Sequence, residues 1–162
     1  GLPNAGKSSL LAAVTNANPK IANYQFTTLN PNLGVASYDN KEITVADIPG
    51  LIEGAHEGTG LGIQFLKHIE RCKTILHLID ITVNDIEKAY NQVKNELFSY
   101  SPKLIKKKEL IVLNKVDLVD DEFVNEITKD FSKKINGDVL LLSTLDKNSV
   151  SKLKAKLLSY VS

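Results

Sequence analysis

Apolar runs alternate with amphipathic stretches along this chain, which is the pattern of an α/β fold. Short apolar runs predict buried strands over Thr74–Asp80, Glu109–Asn114 and Asp138–Ser143. Apolar positions at helical spacing predict helices over Ser8–Thr15, Asp85–Tyr100, Asp121–Ile135 and Val150–Val161. Strands that alternate with helices imply a mostly parallel sheet with helices on both faces.

A hairpin is predicted ahead of the first buried strand. Leu33–Tyr38 and Glu42–Asp47 read as two strands around the turn Asp39-Asn40-Lys41. In sheets of this kind, ligands bind beyond the carboxyl ends of the strands. The motifs that carry chemistry in this chain fall at strand ends, so we expect them to meet at one edge.

The first eight residues match the phosphate-loop pattern G-x-x-x-x-G-K-[ST] in full. Glycines let successive backbone N–H groups face anionic oxygens, and the following helix adds the positive end of its dipole. Lys7 would contact the β- and γ-phosphates, and the Ser8 hydroxyl would bind Mg²⁺. The predicted phosphate-binding residues are Gly1, Leu2, Pro3, Asn4, Ala5, Gly6, Lys7, Ser8 and Ser9. The alternative is a chance glycine turn that opens a helix.

A second motif, Asn114-Lys115-Val116-Asp117, directly follows the strand ELIVL and predicts guanine as the base. The Asp117 carboxylate can accept hydrogen bonds from guanine N1–H and the N2 amino group, a donor pair that adenine lacks. Asn114 can reach guanine N7 and tie the loops together, and the stem of Lys115 can lie along the base. Ser143, Thr144 and Leu145 follow the next strand, where a backbone N–H could meet guanine O6. The alternative for Asn114–Asp117 is a solvated polar turn.

Two further segments predict parts that respond to the γ-phosphate. Asp47 would hold Mg²⁺ through a water, and the Gly50 N–H would meet the γ-phosphate. Thr28, chosen over Thr27, would give its hydroxyl to Mg²⁺; the alternative is two threonines in a solvated turn. Glycines at 50, 54, 58, 60 and 62 suit a loop that one ligand orders and another releases. The nucleotide-binding residues predicted in these segments are Phe26, Thr27, Thr28, Leu29, Asn30, Asp47, Ile48, Pro49 and Gly50.

Composition narrows the class of protein without adding chemistry. A chain of 162 residues with 43% hydrophobic and 24% charged residues suits one globular domain. The net charge of +1 gives no footprint of nucleic acid or membrane binding. A single cysteine, Cys72, rules out an internal disulfide and fits a reducing compartment. We therefore expect a cytoplasmic, monomeric domain that contacts no membrane and has no direct nucleic-acid site.

The motifs together resemble the GTPase domain of the Obg family over essentially the whole chain. The matching stretches are GLPNAGKSSLL, FTTLNPNLGV, DIPGLIEGAHEGTGLGIQFLKHIERC and NKVDL. The resemblance implies a Ras-like P-loop G domain over residues 1–162, which binds GTP and Mg²⁺ and hydrolyses GTP slowly. It also implies that the full-length protein acts in assembly of the large ribosomal subunit and in stress or cell-cycle control. Family members carry a strand before the phosphate loop, so we expect a domain truncated at its N-terminus, with its first strand missing. Thr144 departs from the alanine that is more usual in the family.

The residue that positions the attacking water is not evident from the sequence. Ras-type enzymes use a glutamine just after D-x-x-G, where this chain has Leu51. His56 and Glu57 are candidates, whereas Arg71 is predicted to be structural. Asn4 either helps to hold a K⁺ ion beside the phosphates or only shapes the loop. The predicted catalytic set is Lys7, Thr28, Gly50 and, as a possible K⁺ ligand, Asn4.

Two other functional classes compete with a GTP-hydrolysing switch. The first is a binding module in which the nucleotide supports the fold and hydrolysis is incidental; Leu51 is compatible with it. The second is an ATP-dependent enzyme, which Asp117 disfavours.

Overall fold

Two three-stranded sheets organise the residues described by the computed structural model, which are 1–15, 18–21, 31–47, 67 and 69–161. The antiparallel sheet has the order β1 (Lys20–Ile21), β2 (Asn32–Tyr38) and β3 (Lys41–Asp47). The parallel sheet has the order β4 (Thr74–Asp80), β5 (Lys108–Asn114) and β6 (Val139–Leu142). The helices are α1 (Lys7–Val14), α2 (Ile86–Tyr100), α3 (Asp121–Ile135) and α4 (Lys147–Val161), with 3₁₀ turns at Leu104–Lys106 and Val116–Leu118.

The parallel sheet follows the predicted strand–helix alternation. Its register sets Thr74 opposite Lys108 at one edge and Asp80 opposite Asn114 at the other. Asn114 also lies opposite Leu142, the last residue of β6. The carboxyl ends of all three strands therefore meet at one edge, as the sequence predicted.

Side chains of the parallel strands alternate between two apolar layers. Leu110 and Val112 face a cluster that includes Leu10 of α1 and Leu153 of α4. Ile111 and Leu113 face a second cluster, which includes residues of α2 and α3 such as Ile86 and Phe131. The period of two in β5 thus covers both faces of the sheet with helices, which confirms that part of the prediction.

The predicted hairpin is present and forms a sheet of its own with β1. Asp39 and Asn40 both have positive φ, 50° and 57°, which suits the tight turn between paired Tyr38 and Lys41. Sequence patterning missed β1, because two residues are too few to reveal a period. β3 pairs with β2 and β4 with β5, so the other edges of β3 and β4 are open within the described ranges. An apolar groove of about 530 Å³ lies between these edges, lined by residues that include Val45, Leu76 and Leu157.

Capping carboxylates set the helix starts more closely than the apolar pattern does. The carboxylates of Asp85 and Asp120 accept N–H bonds of 2.8 Å at the starts of α2 and α3. α4 begins at Lys147, three residues before the predicted Val150, because Asp146 accepts the N–H groups of Asn148 and Ser149 at 3.1 and 3.0 Å. The first apolar residue of a helix can therefore lie a full turn inside it.

Candidate functional site

The phosphate loop is a tight turn that opens α1. Gly6 has φ 97° and Asn4 has φ 64°, both in the left-handed region. A Cβ on Gly6 would lie 2.5 Å from the Asn114 side-chain nitrogen, and one on Gly1 would lie 2.2 Å from the Leu78 carbonyl oxygen. Glycine is therefore required at both positions for close approach, and at Gly6 for backbone conformation as well.

The start of α1 carries the features of an anion site. Gly6 occupies the cap position and offers no side chain to the N–H groups of the first turn. The Lys7 ammonium lies over the loop and donates to the carbonyl oxygens of Gly1 and Leu2 at 2.9 and 3.3 Å. Backbone donors and a lysine are thereby collected at a helix N-terminus, the arrangement that binds phosphate groups.

Ser8 and Asp47 meet beside this turn. The Ser8 hydroxyl donates to the Asp47 carboxylate at 3.4 Å. Asp47 is 9% exposed, and its Oδ1 has no hydrogen-bond partner among the described residues. A hydroxyl and a buried, half-satisfied carboxylate are hard oxygen donors of the kind that Mg²⁺ prefers.

Asn114 joins the end of β5 to the phosphate loop. It is 1% exposed, and its side-chain amide donates to the Ala5 carbonyl at 2.9 Å. This is the loop-to-loop link expected from the sequence. The Asn114 Oδ1 is buried and has no partner in the described part of the chain.

Lys115 makes a contact that the sequence analysis missed. It has φ 66°, and its ammonium pairs with the Asp80 carboxylate at 2.6 Å. The same carboxylate accepts the Thr82 N–H at 2.9 Å and the Thr82 hydroxyl at 2.7 Å. Burial alone would raise the pKa of Asp80, but the bonds from Lys115 and Thr82 outweigh it and hold the pKa below its ordinary value. Asp80 is therefore ionised and holds the Lys115 ammonium in place. Its position at the end of β4 is the sequence feature that could have pointed to it.

Asp117 and the loop after β6 complete this edge. Asp117 is exposed in the turn Val116–Leu118. In the loop after β6, the Ser143 N–H donates to the Ser149 hydroxyl at 3.0 Å, and the Leu145 N–H donates to the Ser143 hydroxyl at 3.3 Å. Thr144 lies between these two residues, and its N–H group has no hydrogen bond within the described residues.

The remaining predicted site residues lie outside the described ranges, so their roles stay predictions. These residues are Phe26, Thr27, Thr28, Leu29, Asn30, Ile48, Pro49, Gly50, Leu51, His56 and Glu57. Arg71 and Asn4 are described, and both are exposed.

A buried polar cluster, also unforeseen, lies in mid-sheet. His77 of β4 is fully buried, and its Nδ1 lies 2.8 Å from Glu109 of β5. Lys94 donates to the other oxygen of Glu109 at 2.8 Å, and the Tyr90 ring stacks on His77 with centroids 5.0 Å apart. Burial lowers the pKa of His77 despite the opposing effect of Glu109. This cluster joins β4, β5 and α2 within the core.

Comparison with known proteins gives consistent results. A family model described as "50S ribosome-binding GTPase" matches residues 1–115. GTPase Obg of Pelagibacter ubique is 74% identical over 162 residues, which cover 100% of this chain and 50% of that protein. GTPase Obg of Rickettsia felis is 54% identical over 153 residues, 94% of this chain and 46% of that protein. The chain thus spans about half the length of these curated relatives.

Solved structures support the fold. The G domain of the T. maritima FeoB iron transporter matches with a TM-score of 0.70 at 20% identity, over 100% of this chain and 95% of that one. The cytosolic domain of L. pneumophila FeoB matches with a TM-score of 0.71 at 19% identity, over 98% and 65%. At these identities the likeness concerns the G-domain fold alone. None of the helices in the described ranges is both long and apolar enough to span a membrane.

Proposed function

The chain belongs to the 50S ribosome-binding GTPase family and, within it, to the Obg GTPases, and we propose that it binds GTP and hydrolyses it slowly as a molecular switch. The contact that best supports this proposal is the 2.9 Å bond from the Asn114 amide to the Ala5 carbonyl. It holds a base-recognition loop and a phosphate loop at a fixed spacing. A guanine nucleotide requires both loops at once.

Phosphate binding would fall to Lys7 and the N–H groups that open α1. Lys7 already has its ammonium over the loop, bonded to two neutral carbonyl oxygens. A phosphate oxygen is a charged acceptor and forms a stronger bond than a carbonyl. Lys7 would therefore transfer its bonds to the β- and γ-phosphates with little movement of its backbone.

Ser8 and Asp47 fit a Mg²⁺ site. The buried Asp47 Oδ1 supports this assignment, because a carboxylate oxygen without a partner is costly unless a cation or water satisfies it. One carboxylate and one hydroxyl also match the few protein ligands that Mg²⁺ takes beside nucleotide phosphates. The bound ion would neutralise charge that develops on the phosphates. Thr28 is proposed as a further ligand when the γ-phosphate is present.

Guanine recognition would combine a carboxylate and a backbone donor. Asp117 would accept from N1–H and the N2 amino group. The Thr144 N–H would donate to O6, because the Ser143 and Leu145 N–H groups are engaged in holding the turn. The side chain of Thr144 is larger than the alanine that is usual in the family, but the contact comes from the backbone and stays available.

Hydrolysis is expected to be slow, because Leu51 cannot orient a water by hydrogen bonding. The Gly50 N–H would contact the γ-phosphate. Asn4, exposed and at positive φ, either holds a K⁺ ion beside the phosphates or only shapes the turn. Turnover in KCl and NaCl separates these two roles, since equal rates in both salts exclude the K⁺ ion.

The ribosomal role concerns the longer protein. We propose that the full-length protein associates with the large ribosomal subunit and acts in its assembly, with links to stress or cell-cycle control. The family description and the curated relatives named GTPase Obg support this proposal.

The decisive test replaces the base-recognising carboxylate. Asp117→Asn should weaken GTP binding about 100-fold or more, because the amide nitrogen would face guanine donors. It should favour xanthosine triphosphate, which has a carbonyl at C2. Asp121→Asn makes the same change at an exposed neighbour and should leave both affinities unaltered.

Two results would contradict the proposal. Unchanged GTP affinity in Asp117→Asn, or ATP competing as well as GTP, would remove the guanine assignment. Absence of GDP over hours in single-turnover assays, with and without large subunits, would leave a nucleotide-binding module in place of an enzyme.

A further inference from the structure

Lysines gather at the amino end of the parallel sheet, although the net charge is only +1. The carboxyl edge and the loops beside it carry both signs of charge: the acids Asp80, Asp117, Asp120, Asp121 and Asp146 together with Lys7, Lys115 and Lys147. The amino edge and the elements beside it carry Lys73, Lys103, Lys106, Lys107, Lys108 and Lys156, which we call the basic pole. Strands of seven residues place the two ends about 20 Å apart.

Two of the segments that build the basic pole contain lysines and no acids. Residues 101–108 contain four lysines, residues 152–162 contain three, and neither segment contains an aspartate or glutamate. Two acids lie nearby: Glu70, which is 3.6 Å from Lys103, and Glu109, which follows Lys108 but is bonded to His77 and Lys94. Because Lys103 has 77% of its side chain exposed, this pair neutralises little of the surface.

Three segments are tied into one surface by the lysines themselves. Lys107 donates to the carbonyl oxygens of Glu70 and Cys72, both at 2.6 Å. Lys73 donates to the carbonyl oxygen of Val161 at the end of α4, at 2.7 Å. The turn before β5, the segment before β4 and the last turn of α4 are thereby held side by side, so their charges add.

An aromatic ring lies among these cations. The Lys108 ammonium is 4.2 Å from the centroid of the Tyr160 ring, and that of Lys156 is 5.7 Å from it. These contacts orient two flexible side chains, which lowers the entropy cost of presenting them to a ligand.

We propose that the basic pole binds the phosphate backbone of RNA. Lysines are point charges suited to phosphates, and they are depleted in protein–protein interfaces. Among the described residues, the large exposed apolar side chains that a protein interface would bury are Ile21, Val35, Tyr38, Phe98, Leu118, Phe123 and Leu145, none of which belongs to the pole. Net charge alone had indicated no nucleic-acid site, because it averages over the two ends.

The distance between the ends has a functional consequence. RNA at the basic pole and a nucleotide at the carboxyl edge can be bound together, since about 20 Å of sheet separates them. The choice of ribosomal RNA as the source rests on the proposed ribosomal association, whereas the clustering of lysines at the basic pole is independent of it.

The test measures binding of a 20-base-pair RNA duplex to the full-length protein by fluorescence anisotropy across a salt series. The pole variant carries Lys103→Gln, Lys106→Gln and Lys156→Gln. The control variant carries Lys41→Gln, Lys88→Gln and Lys129→Gln, which remove the same charge from exposed positions elsewhere. Loss of three phosphate contacts should reduce the slope of log affinity against log salt by about 2 to 3 and weaken binding about tenfold or more at 0.1 M salt. The control should behave as the wild type.

The outcomes separate this proposal from the nucleotide function. Equal loss in both variants, or tighter binding of polyglutamate than of RNA, overturns the RNA assignment. Affinity for a fluorescent GDP analogue, measured in parallel, reports folding and the proposed nucleotide site. If the wild-type protein does not bind the analogue but binds RNA with the expected salt dependence, the nucleotide function alone is overturned. If the triple variant does not fold, the single variant Lys106→Gln should still reduce the slope by about 1.

Discussion

Strands β4 and β5 carry two polar clusters, one in mid-sheet and one at the carboxyl edge, and each leaves one buried atom without a partner among the described residues. In mid-sheet, Glu109 uses one oxygen for His77 and the other for Lys94, but the Nε2 of His77 is buried without a partner in the described part of the chain. At the edge, Asn114 pairs its amide nitrogen with Ala5 but keeps a buried oxygen without a partner among the described residues. The two unpaired atoms differ in place: the His77 nitrogen lies within the sheet, whereas the Asn114 oxygen lies at the carboxyl edge beside the phosphate loop, where the nucleotide is proposed to bind.

This difference predicts separate roles for the two clusters of these strands: the mid-sheet cluster stabilises the fold, and the edge cluster binds the nucleotide. Polar groups satisfied by one another stabilise the sheet and fix its register. Polar groups left partly unsatisfied cost stability unless something binds them. Substitutions in the mid-sheet cluster should therefore lower the free energy of unfolding without altering nucleotide affinity. Substitutions at the carboxyl edge should mainly lower nucleotide affinity.

The largest effect is expected at Asn114, where one substitution should lower both nucleotide affinity and stability. Asn114→Ala removes the bond to Ala5 and leaves that carbonyl unpaired, so both properties should suffer. We expect GTP affinity to fall about 100-fold and the free energy of unfolding to fall by about 1–3 kcal/mol. Titration calorimetry and urea unfolding measure the two, with the exposed Asn125→Ala as control. Unchanged pyrophosphate affinity in Asn114→Ala would show that the link does not support the phosphate loop.

The next effect concerns the mid-sheet cluster. Glu109→Ala leaves the buried His77 Nδ1 without its partner, which should cost about 1–3 kcal/mol of unfolding free energy. GTP affinity should stay within about twofold, because Glu109 lies some five residues from the carboxyl edge of β5. The exposed Glu126→Ala on α3 is the matched control. A large loss of GTP affinity at constant stability would contradict the separate roles of the two clusters.

Asp80 should give a smaller effect, confined to binding. Asp80→Asn removes the negative charge that holds Lys115 but keeps a similar shape. We expect GTP affinity about tenfold lower, mainly through faster release, which stopped-flow measurement with a fluorescent nucleotide detects. Thr82→Val removes one hydroxyl donor to Asp80 and should have a weaker effect. If both variants release nucleotide at the wild-type rate, Asp80 is not a positioning residue.

The smallest effect is a pH dependence of stability. Burial lowers the pKa of His77, so the folded state favours the neutral ring and the unfolded state binds a proton first as pH falls. Stability from this source is complete above the unfolded pKa near 6.5 and is lost progressively as the pH falls below it, by less than about 1 kcal/mol between pH 7 and 6. Urea titrations at both pH values measure it, and His77→Leu should flatten the profile. An unaltered profile in that variant would assign the dependence to other groups.

Sequence patterning anticipated the parts of this molecule that repeat or match a spacing. The parallel strands follow from their apolar runs, and the phosphate loop and Asn114 follow from short motifs with fixed spacing. The pair of Asp80 with Lys115 could not be predicted in this way, because it depends on the register that sets Asp80 opposite Asn114. The bond between His77 and Glu109 has the same origin, since it joins residues 32 apart in the chain. The start of α4 was missed because its cap, Asp146, lies four residues before the first apolar position.

Gly6 has a consequence for how this sequence can evolve. A Cβ at position 6 would collide with the Asn114 side chain at 2.5 Å, and the backbone there has φ 97°. A smaller residue at 114 would relieve the collision but would remove the link to Ala5. A substitution at either position alone should therefore impair the phosphate loop. Residues 6 and 114 are constrained together, although 108 positions separate them in the sequence. Saturation mutagenesis of the pair should find single substitutions and double substitutions almost equally unfit.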